Sequence, residues 1–500
     1  MAEADIASLQ TVASPPLASP PLASPPLASQ SSGGPAAKTP RHILARRFLG
    51  RRWRWLEREF PALTNGILVL REAATTLADN RHAASKLAML RRVPPLADLP
   101  RSVTMLVPDT RIDRRVLLQG RTLAAAGVRV TVIAAPYPGP DDLDRAAFPE
   151  LEIVRVDTGI MRPPGRRARP GKLAHRDWKK LYFYHGGFLS AAIRHPADIY
   201  VAHDLPVLPA VLFAASRHNA GVFYDAHELY PEQVTFSPEE KAGYDGLERE
   251  ATKFVDRMTT VNHSIAAEMA QRYGIATPGV ILNAPDTDGR AVPVPRCDLL
   301  RTALNIPAST RILLFQGGLS PHRNLETLVA AMALVTTPDL ILVLMGPGDM
   351  GGGTERQGLL AQIAESRGIL GTKVLLHPAV TQERLLDYTA SADAGIIPYP
   401  AVDLNTTFCT PNKLFEYFCA GLPILANDLP ELRRYVLGMG AGMVHAMDSE
   451  MAIAAAIDEF FRQDLAVFRA SVAANAEKMV WRSQTGVLLD LYRDYWKGRV

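Results

Sequence analysis

Cysteine is scarce in this chain. Among 500 residues only Cys297, Cys409 and Cys419 are cysteines. Their spacing forms neither a disulfide framework nor a zinc-ligand pattern, which argues against a stapled secreted domain and fits a reducing cytoplasm. Long apolar runs are also lacking, since none approaches the roughly 20 residues that span a bilayer. Charge of one sign is missing too. The 55 Lys and Arg against 51 Asp and Glu leave a formal +4, too little to imply nucleic acid as a partner of the whole chain. The start shows no charged segment followed by an apolar core, so no signal peptide is expected. What remains is the composition of a soluble globular protein of two or three domains, at about 100–200 residues each.

Proline is concentrated at the front. Residues 13–27 are three copies of Ala-Ser-Pro-Pro-Leu, so 1–40 reads as a disordered, polyproline-like tail. From Arg41 the pattern changes. Ala45, Leu49, Trp53, Leu56 and Phe60 recur at helical spacing, while Arg47, Arg51, Arg54 and Arg58 follow another face. A second helical stretch runs over 66–92. This basic extension, 41–100, has two readings: an interfacial helix on an anionic membrane surface, or a helix docked on the body that follows.

From Ser102 the rhythm becomes strand, loop, helix. Strands are predicted at 103–107, 128–134, 152–156, 199–202, 222–225, 258–261 and 280–282, with a helix over 112–126. Interleaved helices predict a parallel sheet covered on both faces, with ligands beyond the carboxyl ends of its strands. Two such ends carry histidine and carboxylate side by side: His203-Asp204, and Asp225-Ala226-His227-Glu228. No helical His-x3-His pair or cysteine accompanies them, and no metal is expected. Arg111, in the loop after the first strand, is a candidate for an acceptor phosphate. Asp286-Thr287-Asp288 reads as polar linker.

A second sheet is predicted from 311–316, 340–345, 374–376, 394–398 and 423–426. Its first turn, Gln316-Gly317-Gly318-Leu319-Ser320-Pro321-His322-Arg323, combines two glycines that permit close backbone approach with an arginine fork suited to phosphate oxygens. The stretch Asn405–Pro430 then reads as loop, helix and buried strand. Thr410 is the expected N-cap, with Pro411 at the first helical position. Lys413 in the first turn opposes the helix dipole, and Glu416 lies one turn later on the same face, where an ion pair is possible. Free backbone donors, a lysine and a carboxylate together suit a bound phosphate with a hydroxylated group beside it. Trp481, Tyr492, Tyr495 and Trp496 near the C-terminus read as packing residues.

Four stretches, IYVAHDLPVLPA, FYDAHELYPE, QGGLSPHRNLETLV and PNKLFEYFCAGLPILAND, resemble the GT-B glycosyltransferases of family 4. The resemblance spans roughly residues 100–500. It implies an α/β fold of two Rossmann-like domains around a cleft: an acceptor domain at 101–284, onto which a helix at 480–500 returns, and a donor domain at 285–479. It also implies transfer of a sugar, with retention, from a nucleotide-diphosphate sugar to a carbohydrate or lipid-linked acceptor in glycan assembly, without cofactor or metal. On this reading Arg323 and Lys413 clamp the diphosphate and His203 lies at the reacting centre. Gly317, Gly318, Gly346, Val380, Asn412, Leu414 and Glu416 fall on the donor side. Asp204, Asp225, His227, Glu228 and Arg111 fall on the acceptor side. The family's other frequent glutamate is replaced here by Phe408. Rival readings are a GT-B sugar-nucleotide epimerase and an inactive GT-B scaffold held at a membrane.

Overall fold

The computed structural model describes residues 79, 82–89, 98–156, 186–347 and 355–499. All of them fall in one compact unit, Glu72–Val500. The Pro-rich repeat, the basic 41–60 stretch, Gly348 and the Gly351–Gly353 run lie outside the described residues.

Two all-parallel sheets form the body. The front sheet holds β1 (Ser102–Val107), β2 (Arg129–Ala134), β3 (Glu152–Arg155), β4 (Ile199–His203), β5 (Gly221–Ala226), β6 (Arg257–Thr260) and β7 (Gly279–Val280), in the order β3-β2-β1-β4-β5-β6-β7. The rear sheet holds β8 (Arg311–Gln316), β9 (Leu340–Met345), β10 (Val374–His377), β11 (Ala394–Ile397), β12 (Ile424–Asn427) and β13 (Gly442–His445), in the order β10-β9-β8-β11-β12-β13. Each order reverses once, at β1/β4 and at β8/β11, and such switch points are where open parallel sheets bind ligands.

Burial on both faces explains the near-continuous apolar strands. Successive side chains point to opposite faces. Accordingly Leu106, Tyr200, Ala202 and Tyr224 enter one core cluster, and Met105, Val107, Ile199, Val201 and Phe223 the other. The helix Thr485–Lys497 returns to this second cluster, where Tyr492 and Tyr495 pack on Phe223 at 4.8 and 5.1 Å between ring centroids. The rear sheet and its helices share one core that includes Leu414, Phe415, Tyr417 and Phe418.

Two local expectations are corrected. The helix after Thr410 begins at Asn412, with Pro411 rather than Thr410 at the cap and no side chain capping it. Thr410 Oγ1 instead accepts from Asn262 Nδ2 of the front half at 3.3 Å. An added strand, β13, pairs with β12 over Gly442–His445.

The halves meet along the strap 403–412. Leu404 and Phe408 pack on the front-half core. Asn405 accepts from the Leu229 amide at 2.8 Å and donates to its carbonyl at 3.0 Å. Asn262 Nδ2 donates to the Phe408 carbonyl at 2.7 Å while its oxygen caps the helix His263–Tyr273. Glu431 accepts from the Ser264 amide and hydroxyl at 2.8 and 2.6 Å, placing a carboxylate at the start of that helix, the end its dipole favours.

Candidate active site

A cleft of about 740 Å³ lies between the two halves, above the carboxyl ends of both sheets. Its rear wall begins where β8 ends. Gly317 turns there with φ 101°, and Gly346, at the end of β9, has φ 157°. A Cβ on Gly346 would stand 2.0 Å from the Gly317 carbonyl oxygen, so no side chain fits where these two turns meet. Gly317 and Gly318 line the cleft.

Opposite them the helix Asn412–Cys419 presents its start, with Thr410, Pro411, Asn412 and Lys413 on the cleft. An uncapped start leaves backbone donors without intrahelical partners. The Lys413 side chain is buried, with 6 % exposure. Its ammonium lies 4.6 Å from the ring centres of both Phe315 and Tyr399 and donates to the Tyr399 hydroxyl. Arg323 stacks on the same Tyr399 ring at 4.3 Å. Among the described residues neither cation has a carboxylate within 4.0 Å. The possible Lys413–Glu416 pair is not formed, because Glu416 accepts from Gln316 Nε2 at 2.6 Å. Gln316 is fixed in turn by the Thr389 hydroxyl at 2.6 Å. Burial raises the Glu416 pKa, with the Gln316 bond and Lys413 opposing.

The front wall is different. Asp225, inside β5, is buried and receives the Arg115 guanidinium at 2.6 and 3.1 Å, Gln119 at 2.7 Å and Thr259 at 2.7 Å. Arg115, in the helix Arg114–Ala125, also donates to the Ile281 carbonyl. Both histidines reach Asp225, His203 at 3.3 Å and His227 at 3.4 Å, and their rings approach each other at 3.3 Å. Burial alone would raise Asp225; the Arg115 charge and the two imidazoles outweigh it and hold the carboxyl well below its usual range. Burial lowers His203. Burial would lower His227 too, but Asp204 and Asp225 hold it up to about 9. Asp204, at φ 64°, accepts from the His227 amide at 2.9 Å. His203, Asp225 and His227 offer ligand atoms within 4.8 Å of one another. However, the Arg115 charge already occupies the Asp225 carboxylate, which leaves it a poor cation ligand.

The expected site residues therefore divide. His227, Glu228, Gly317, Gly318, Arg323, Asn412, Lys413 and Glu416 line the cleft. His203 does not: it is the last residue of β4, has no exposed surface, and its Nε2 reaches no partner among the described residues. Asp225 lies beneath the wall and acts through its neighbours. Asp204 holds the His227 backbone. Gly346 supports Gly317 from behind. Leu414 is core, and Val380 packs at that core's edge. Arg111 is exposed and off the cleft; Arg115, one helical turn on, is the arginine the fold engages. Asp286 is taken by Arg121. Sequence reasoning missed Tyr399, the shelf under both cations. Its position two residues past β11, at the rear switch point, was the available signal.

Residues 112–285 match a family model described as a glycosyl transferase 4-like domain, and residues 310–463 match one for glycosyl transferases group 1. The chain is similar to a D-inositol 3-phosphate glycosyltransferase of Nocardiopsis dassonvillei, 26% identical over 260 residues. That match takes in 50% of this chain and 58% of the relative, so the chain spans little more than half of that relative's length. The enzyme of the same description from Saccharomonospora viridis is 27% identical over 392 residues, covering 74% of this chain and 86% of the relative. Among solved structures, sucrose-phosphate synthase from Thermosynechococcus elongatus superposes with a TM-score of 0.63 at 18% identity, over 80% of this chain and 100% of that one. Anabaena HepE, solved with UDP and glucose, gives 0.58 at 15% identity, over 78% and 98%. At these identities the structural likeness establishes the fold.

Proposed function

We propose, from the premise that the chain belongs to the GT-B glycosyltransferases, that it is a retaining, family 4-like enzyme. It transfers a sugar from a nucleotide-diphosphate sugar to an acceptor hydroxyl. The observation that carries this reading is the pair of cations, Arg323 and Lys413, with no carboxylate partner among the described residues, held against Tyr399 at an uncapped helix start inside the cleft. Keeping a buried charge without its counter-ion costs several kcal/mol, on the order of that for any lone buried ion. Ring faces return about 0.5–2 kcal/mol each, and a bound diphosphate supplies the rest. As the glycosidic bond breaks, negative charge grows on the leaving diphosphate. Arg323, Lys413, the helix start and the Gly317-Gly318 backbone are the fixed donors that meet it. Glu416, oriented by Gln316, takes the nucleotide ribose. The UDP seen in Anabaena HepE supports a uridine donor as the first to test.

The acceptor is a carbohydrate or lipid-linked hydroxyl in glycan assembly, reached from the cytoplasm. The basic 41–92 stretch is the proposed contact with an anionic membrane face. Among the described residues no helix is long and apolar enough to cross a membrane.

A thermal-shift screen of nucleotide sugars tests the reading, because a ligand that binds only the folded state raises its stability. A UDP- or GDP-sugar should raise the melting temperature and be consumed with release of the nucleoside diphosphate, equally with and without EDTA. Lys413→Ala should lose both effects. Stabilisation and turnover unchanged in that variant would refute the assignment, and C2 epimerisation of the sugar without transfer would favour the epimerase.

A further inference from the structure

On the rear wall both cations share one residue. Tyr399 is buried, with 2 % exposure, and lines the cleft. Its backbone is fixed, since its carbonyl accepts from Asn427 Nδ2 at 2.7 Å. Arg323 lies over its ring at 4.3 Å. The Lys413 ammonium lies 4.6 Å from the ring centre and donates to the phenol oxygen.

The direction of that last bond leaves something over. An ammonium carries donors and no acceptor, so the phenol oxygen accepts and its own hydrogen stays free. No acceptor among the described residues takes that hydrogen. Thr410, also on the cleft, accepts in the same manner from Asn262 Nδ2 at 3.3 Å, but there the donor is a neutral amide at the seam between the halves. Tyr399 accepts from a cation, and a hydroxyl polarised in this way is the stronger donor. The place is also right. A Cβ on Gly317 would stand 3.6 Å from Lys413 Nζ, so ammonium and hydroxyl border the bare backbone turn on the cleft.

We propose that Tyr399 is a third side-chain donor to the leaving diphosphate, its phenolic hydrogen bonding a phosphate oxygen alongside Arg323 and Lys413. The inference rests on the glycosyl-transfer reading above and deepens it. As the bond from the anomeric carbon to the diphosphate oxygen breaks, its electron pair leaves with the diphosphate. The hydrogen remains on Tyr399 throughout, and only its hydrogen bond strengthens as the charge grows. This residue takes no proton from the acceptor and acts on the leaving-group side alone, which is compatible with retention. A donor fixed in advance and facing charge that develops in the transition state raises kcat more than it lowers KM.

The test uses the full-length protein with UDP or GDP, whichever the wild type binds, and the matching nucleotide sugar. Tyr399→Phe keeps the ring beneath both cations and removes only the hydroxyl. It should lower kcat by about tenfold to a hundredfold, with a smaller change in KM. Binding of the nucleoside diphosphate should weaken while binding of the bare nucleoside stays unchanged. A smaller fall in kcat, or equal weakening of both ligands, would overturn the proposal.

To separate donation to the diphosphate from the seating of Lys413, the same substitution is made in Lys413→Met. A further loss of turnover of about tenfold there supports direct donation. A smaller loss shows that the hydroxyl serves Lys413 alone, and the proposal fails. Should Tyr399→Phe not fold while Lys413 is buried beside it, this second comparison carries the test, because that charge is gone. A wild-type protein that neither binds nor consumes any nucleotide sugar removes the glycosyl-transfer reading itself. A wild type that does both, with a Tyr399→Phe variant that matches it, removes only the role given to Tyr399.

Discussion

The two walls of the cleft handle charge in opposite ways. On the front wall Arg115, Asp225, His227 and Asp204 alternate in sign, and each charge answers the next within the protein. On the rear wall Lys413 and Arg323 rest on aromatic rings, with no carboxylate within 4.0 Å among the described residues. A closed network fixes side-chain positions and gives up little to a ligand. An open pair of cations stores electrostatic energy that an incoming anion releases. The front wall is built to hold a geometry, the rear wall to meet a charge.

Mutation should separate these designs, most strongly at Asp225. Asp225→Asn leaves Arg115 buried without its counter-ion, and breaking such a pair costs about 3–5 kcal/mol. A large fall in melting temperature and in the denaturant midpoint is expected, with cleft binding lost through the displaced His227. A fall below 1 kcal/mol would show that the network is not closed. Lys413→Met should behave in the reverse sense. Removing one preorganised cation should cut transfer about 10²–10³-fold, yet the free protein should melt no lower than wild type, because a lone buried charge has gone. A marked destabilisation of free Lys413→Met would erase the contrast between the walls.

Much of this was legible in the sequence, for reasons visible in the fold. Strands buried on both faces must be continuously apolar, so β1, β2, β8 and β9 announce themselves. β13 does not, because Gly442-Met443-Val444-His445 is short and opens on a glycine. The cations were legible because a lysine in the first helical turn defies the dipole. The residue that seats them was not, since a tyrosine after a strand reads as ordinary core. The histidines were separable only by a count of one or two residues. His203 is still within β4 and points into the body, while His227 has just left β5 and reaches the cleft. Strand ends read from sequence are uncertain by at least that much.

Phe408 blurs the division between the walls. It belongs to the rear half in chain order but packs on the front core, three residues past Asn405, whose side chain holds Leu229. Phe408→Ala removes a partly buried ring, and about 2 kcal/mol is expected, below the roughly 3–5 kcal/mol of a fully buried one. The loss should fall on the coupling of the halves. Calorimetry should show the single unfolding transition broadening or splitting, with transfer reduced more than donor binding. A sharp, unshifted transition would mean that the strap does not join the walls.

The smallest effect concerns the one titratable histidine that the closed network exposes to the cleft. His227 is held up to about 9 in the folded protein, against roughly 6.5 for an unfolded chain. The folded state therefore binds a proton that the unfolded state has released, and the stability this gives is complete below about pH 6.5 and lost as pH rises through 9. Glu228 and Glu248, pushed up to about 7 by burial, act in the same direction but finish lower, so the interval from pH 7.5 to 9 belongs to His227. About 1–2 kcal/mol should disappear there, and His227→Gln should flatten the slope while leaving Asp225 paired with Arg115. If the slope survives that substitution, the imidazolium is not the group that joins Asp204 to Asp225, and the front wall is open after all.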